Sequence, residues 1–507
     1  MLKTLHEINL FVFGPEFLRA RRFIAHDTKN HLSILIRTCS KPMSKNNMSN
    51  VRFFDFHFYK LLTLLSILLF CLAGCDFLEL QPKQSIGSEE ALTTESDVKK
   101  ALISAYDGIS DAAIYGGRYM VWPDFLADNG DLQYTGTREQ PSQIINKSIL
   151  PSNSQITDGW TEAYDAINIT NNVLGSINQI EGEQERARVE GEARLIRAAI
   201  YFELVRLFAK PWNAGDPTSN LGVPLVLEPT RTITEENNVT RNTVQEVYEQ
   251  VISDLSTARN QLPESNGVFA DTYVASALLS RVYLMQKKYQ DAAEAANRVI
   301  QSGQFSLAPT FADAFNNSED IPEYVFAIQI SAQDGINTLN DTYAARQDGG
   351  TAAFETNITA QHLDRYVPDD DRESFFYEDS ETGNTRTQKF QNAESSGANI
   401  PIIRLAEMYL TRAEANLRDG SMIGASPVED INTIRERAGL SKVNDVEVSD
   451  VMRQRRLELS FEGNLLHDLQ RTDRSVGSIP FDANRLVYPI PQREIDANPE
   501  IQQNPGY

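Results

Sequence analysis

The chain has almost no cysteine. Only Cys39, Cys71 and Cys75 occur among 507 residues, so the sequence beyond position 75 holds no internal disulfide. Whatever folds there must rest on its hydrophobic core. Histidine is nearly as scarce: past Cys75 only His362 and His467 remain, and neither has a His or Cys neighbour at metal-ligand spacing. No serine sits in a G-x-S-x-G turn, although two histidines would still allow Ser-His-Asp chemistry. No glycine-rich phosphate loop occurs either. Basic charge is in deficit, with 47 Lys and Arg against 70 Asp and Glu and a formal net charge of −23. That balance disfavours nucleic acid or an anionic membrane surface as the main partner and is silent about a neutral ligand. In so acidic a chain, paired carboxylates are too common to mark a hydrolase.

The apolar run that organises the chain is short. Leu61 to Phe70 carries no charge, follows Arg52 and Lys60, and leads into Leu72-Ala73-Gly74-Cys75. Spanning a bilayer takes about 20 apolar residues, so the run suits a signal-peptide h-region better. The pattern matches a bacterial lipoprotein signal over 48–74, with Cys75 acylated as the first mature residue. Cleavage there removes ten basic and four acidic residues and leaves 433 residues with a formal charge of −29. Residues 1–47 fit this poorly, because Met48 or Met43 would already supply a normal n-region. They are expected to be an extension ahead of the true start. A polar tether over 75–88, with Pro82 and Gly87, follows the anchor.

Helical periodicity dominates from there. Thr94 with Asp97 caps a helix whose apolar face is Val98, Ala101, Leu102, Ala105 and Ile109. Residues 111–155 lose the period and read as a long loop. Further helices follow through Trp160–Leu174 and Leu195–Ala209, the second stopped by Pro211. Thr243 and Glu246 form a capping box for a helix that ends before Pro263. Val274–Met285 and Ala292–Ile300 make a helix pair with a short turn, resembling a tetratricopeptide unit that needs stacked neighbours. A second pair runs from Leu405 to Leu417 and from Ser426-Pro427-Val428-Glu429 to Gly439. Between them, residues 304–400 contain a β-rich run at Tyr324–Ile330 and then Gly, Asn, Asp and Thr with scattered aromatics. Such an insertion in a fixed scaffold is where function is expected. Ser449–Arg474 reads as helical and rich in Arg and Glu, followed by a Pro-rich tail.

Several stretches together resemble the SusD/RagB family of surface lipoproteins. They are Glu192–Phe208 (EARLIRAAIYFELVRLF), Gly222–Val226 (GVPLV), Ile402–Asn416 (IIRLAEMYLTRAEAN), Ile431–Gly439 (INTIRERAG), Arg456–Gly463 (RLELSFEG) with Asp468-Leu469, and the ending from Tyr488-Pro-Ile-Pro491 to Tyr507. One departure follows Gly463, where the family often has an arginine and then aromatics and this chain has Leu465, Leu466 and His467. The resemblance implies a mainly α fold of about four tetratricopeptide-like pairs in a right-handed superhelical scaffold, with a loop-rich ligand-binding region and a few short strands. It implies one SusD-like domain over 89–507, with an N-terminal part to about 262 and a C-terminal part from about 263. It further implies a lipid-anchored cell-surface protein of the outer membrane that hands captured oligo- or polysaccharide to a SusC-like TonB-dependent transporter. No cofactor and no catalytic residue are implied.

Sugars are held by aromatic rings lying on their apolar faces and by amide and carboxylate hydrogen bonds, so aromatics in loops are the candidates. The segment 119–134 offers Trp122, Asp128, Asn129 and Tyr134, and the insertion offers Asn337, Tyr343, Arg346 and Phe354. The bland alternatives are a loop anchor for Trp122 and local turn chemistry for Asp128 and Asn129. Trp160 and Tyr164 stand at helical spacing and read as core, and Trp212 as a packing anchor. Asp369-Asp370-Asp371 reads as a solvated loop before it reads as a calcium site. Two other functions stay open: capture of peptides or protein fragments on the same fold, and a surface glycoside hydrolase on the same anchor.

Overall fold

The computed structural model describes residues 92–232, 238–330, 337–391 and 398–507. Residues 1–47, the signal segment, Cys75 and the tether lie outside the described residues. Helix α1 (Glu95–Ile109) starts where Thr94 accepts from the Asp97 amide, and it buries Val98, Leu102, Ala105 and Ile109. Those four recur every three or four residues, so one stripe faces inward. It packs on α4 (Ser154–Gly175), while α5 (Glu183–Phe208) packs on α6 (Val244–Gln261). Next come α7 (Thr272–Met285) with α8 (Tyr289–Ile300), and α11 (Leu405–Asp419) with α12 (Pro427–Arg437). Each pair also touches the next, through α4 on α5, α6 on α7 and α8 on α11. Both expected capping boxes are formed, at Thr243/Glu246 and at Ser426/Glu429. The array is mainly helical, and among the described residues no helix is long and apolar enough to cross a membrane.

The polar residues inside the quoted motifs hold these helices together. Arg197 of α5 makes two hydrogen bonds of 2.9 Å to Asp254 of α6, and Arg412 of α11 grips Asp430 of α12 at 2.5 and 2.9 Å. Arg281 of α7 bonds Glu407 of α11 at 2.6 and 2.7 Å. Arg404 is wholly buried and serves Glu323, Glu458 and Glu462 at once. Removing one partner from such a set leaves an uncompensated buried charge, which costs roughly 3–5 kcal/mol. The tail is strapped down likewise: the Asn504 amide donates to Phe208 O and Tyr488 O at 2.8 and 2.7 Å.

The structure corrects the reading of 111–155 as loop. It contains α2 (Arg118–Ala127), strand β1 (Leu132–Tyr134) and α3 (Glu139–Ile145). Every residue of α2 from Tyr119 to Ala127 is buried, so no amphipathic period existed to be seen, and Pro123 inside it reads as a breaker. The insertion is stitched to the array by two antiparallel strand pairs and holds a third within itself. These are β1 with β3 (Thr356–Ile358), β2 (Tyr324–Ile328) with β6 (Ile400–Arg404), and β4 (Phe376–Glu378) with β5 (Thr385–Thr387). In the first, Leu132 faces Ile358 and Tyr134 faces Thr356.

Ser449–Arg474 divides into α13 (Val448–Glu458) and α14 (Leu465–Arg471). The break has a physical cause: Phe461 and Gly463 have φ of 64° and 76°, and a Cβ at 463 would lie 2.7 Å from Met120 Cα. Only glycine fits so close to another backbone. Asp124 of α2 closes the joint by accepting from the Gly463 amide at 2.9 Å and the Leu465 amide at 3.2 Å. The Phe461 ring packs against Tyr343, His362 and Phe376 of the insertion. Three segments far apart in sequence therefore meet at this joint.

Candidate functional site

The turn after α2 is held by Asp128, whose carboxylate accepts from Gly130 N and Leu132 N at 3.1 and 2.8 Å. That is turn chemistry. It points the next acid, Asp131, at the joint, where Arg365 reaches it at 2.7 Å and Arg456 of α13 bonds its other oxygen. His362, on the one-turn helix α10 (Ala360–Leu363), lies 3.6 Å away. Burial would raise the Asp131 carboxyl, but His362, Arg456 and Arg365 outweigh it and hold it well below the usual range. Asp124 behaves the other way: burial pushes it up to about 7 against its two backbone donors.

A narrow cavity of about 60 Å³ lies over these acids, between the turn, His362, α13 and α14. It adjoins a wider cleft of about 700 Å³, with Met452, Arg456, Thr472 and Arg474 forming the wall between them. The inner space suits a few waters, and the outer cleft lies in the size range of ligand sites. Its walls come from 364–365, α13, the C-terminal end of α11 and 472–474.

The candidate residues fall into three groups. Trp122 and Tyr343 are 2% and 0% exposed, so neither ring can lie on a sugar, and both are corrected to core. They are buried because α2 and α9 (Thr338–Tyr343) pack into the joint, where Trp122 meets Phe125 and Tyr343 meets Phe390. Asn337 caps α9 by accepting from Leu339 N and Asn340 N, which commits its carbonyl oxygen locally. The remaining residues keep some surface. Asn129 is exposed beside Asp128, and Tyr134 is half-buried with its hydroxyl donating to Ala353 O at 2.7 Å. Phe354 is half-buried against Trp122, and Arg346 is exposed with Glu355 3.7 Å away. Strand pairing of β1 with β3 thus brings the two sequence regions together around Trp122, Phe125, Tyr134 and Phe354.

Of the residues read as core, Trp160 is buried and Tyr164 half-buried, and Trp212 anchors on Tyr248 at 5.1 Å. The acidic run is not simply solvated: Asp370 is buried and grips Arg372 at 2.8 Å. Among the described residues no group of three His, Cys, Asp or Glu is placed to hold a metal ion. Sequence reasoning missed the arginines of the cleft. Its signal was an Arg453-x-x-Arg456 repeat along one face of α13, hidden in a stretch read only as charged helix.

Two family models match the chain in the order of the quoted motifs. One, described as starch-binding and associating with the outer membrane, covers residues 76–284, and that of the SusD family covers 379–480. The chain belongs to the SusD/RagB family. The curated SusD-like protein P38 of Formosa agariphila is 26% identical over 88% of this chain and 98% of its own length. The starch-binding protein SusD of Bacteroides thetaiotaomicron is 27% identical over 40% of this chain and 41% of its own. A solved SusD superfamily protein from the same species superposes with a TM-score of 0.73 and 29% identity, covering 81% of this chain and all of that one. Against this SusD/RagB background, the buried ion pairs of α5 and α11 show that the quoted motifs hold the scaffold together.

Proposed function

We propose that this SusD/RagB protein is a non-catalytic, cell-surface lipoprotein that captures oligo- or polysaccharide and delivers it to a SusC-like TonB-dependent transporter of the outer membrane. The observation that carries the reading is the cleft of about 700 Å³ between the insertion and the C-terminal helices, with the N-terminal turn lining the inner cavity that adjoins it. Its polar walls offer hydroxyl-binding groups, and its length of chain contacts lets a ligand bridge segments that the scaffold holds apart. Asp128 lines the inner cavity, and Asn129, Tyr134, Arg346 and Phe354 are taken as further contacts on the loop side. The match to a family described as starch-binding supports a sugar ligand. Acylation of Cys75 supplies the anchor, with about 0.8 kcal/mol per buried CH₂.

Asp131, the acid behind two of the cleft's arginines, argues for holding over cutting. Asp131 is committed to Arg365 and Arg456 and stays ionised, so it has no proton to lend a leaving group. Glycan and peptide arrays probed with the full chain test the reading. Glycan binding without product release is expected. Binding to peptides alone would favour the protein-fragment alternative, and released sugars would restore the hydrolase.

A further inference from the structure

The outer cleft reverses the charge of its chain. Five arginines, Arg365, Arg418, Arg453, Arg456 and Arg474, line it against one acid, Asp364, in a protein of formal charge −23. Their own partners do not cancel them. Asp131 is shared by Arg365 and Arg456, so that set keeps one positive charge. Glu414 and Asp468 together serve Arg418, Arg455 and Arg471, which leaves one more. Arg453 and Arg474 are exposed and no carboxylate lies within ion-pair distance of either among the described residues. With Asp364 subtracted, the surplus is three. In addition, the buried Arg456 Nε has no hydrogen-bond partner.

The arrangement is built in. Ser449, Met452, Arg453 and Arg456 form one stripe of α13 toward the cleft, while Val451, Gln454, Arg455 and Glu458 face the core. Like charges three apart on a helix repel, so folding alone does not favour Arg453 beside Arg456. A platform for a neutral sugar is missing as well: no aromatic residue lines this cleft, and among the described residues no Trp, Tyr or Phe is exposed. Planar guanidinium forks match carboxylate and sulfate oxygens, and a concave basic surface concentrates anions.

Resting on the glycan-capture reading, we infer that the captured saccharide is anionic, its uronate carboxylates or sulfate esters seated on Arg453, Arg456 and Arg474. The test is calorimetric titration of the full chain in detergent with matched pairs: polygalacturonate against its fully methyl-esterified form, and dextran sulfate against dextran, with polyglutamate as a non-sugar polyanion. One charged saccharide is expected to bind at least about tenfold more tightly than its neutral match, with affinity falling as salt rises. The responding pair distinguishes carboxylate from sulfate. The Arg453→Ala/Arg474→Ala double variant should lose about tenfold or more in that affinity with unchanged circular dichroism. Equal binding of the neutral matches overturns the inference and leaves glycan capture standing. Binding to polyglutamate alone overturns glycan capture too. Binding to none of the probes overturns the inference, while the arrays still decide the capture reading.

Discussion

Arg197, Arg404, Arg412 and Arg471 lie inside the helical array, each buried and each facing carboxylates set by a neighbouring element. Arg453 and Arg474 lie on the cleft wall, exposed and without an ion-pair partner among the described residues. The two regions use one side chain for opposite ends. In the array the guanidinium forks fix how helices cross, and their charge is spent. In the cleft the charge is left over, which is useful only if something outside the chain neutralises it. The comparison also separates the quoted motifs, which lie mostly in the first region, from the proposed ligand contacts in the second.

The strongest way to break the first half is Arg404→Ala. Glu323, Glu458 and Glu462 would then face one another without their cation, and a loss of about 5 kcal/mol is expected in chemical denaturation. A loss below about 1 kcal/mol would show that the network does not hold the fold. Next, Trp122→Ala should cost about 3–4 kcal/mol, because it empties a packed site between Phe125 and Phe354. Trp122→Phe should keep glycan affinity, and a large loss there would return Trp122 to the ligand site.

A third test uses His467, which stands where the family often carries other residues. It is buried, neither ring nitrogen has a hydrogen-bond partner, and burial holds its pKa well below 6.5, with Arg206 and Arg281 adding to the effect. Because the folded pKa is depressed, the unfolded chain takes up a proton first, so stability falls as pH drops below about 6.5. His467→Met should remove about 1 kcal/mol of that fall between pH 6.5 and 5.5. An unchanged slope would mean other groups set the acid response. The smallest stability effect belongs to the cleft: the Arg453→Ala/Arg474→Ala variant should melt with the parent. An early melt would make these arginines part of the scaffold and erase the comparison.

The helix pairs were legible because α1, α6, α8 and α12 each bury one stripe and all but α8 begin on a side-chain cap. Helix α2 was not, since burial on all sides erases periodicity. For the site, chain regions were located better than side chains. Both 119–134 and the insertion do meet, yet Trp122 and Tyr343 went to the core because a large ring is as useful for packing as for stacking. The arginines of α13 escaped because their neighbours Arg455 and Glu458 are structural. Nothing in linear spacing tells a paired arginine from an unpaired one when the partner, as with Asp468 for Arg455, comes from another helix.

The claim that ligand sits where turn, insertion and C-terminal helices converge is tested most directly by hydrogen–deuterium exchange, with and without the glycan selected on the arrays. The account predicts slowed exchange at 128–134, 361–365, 448–457 and 472–474. Slowing confined to the apolar groove beside Ile103, Val268 and Phe269, with the cleft unchanged, would contradict it.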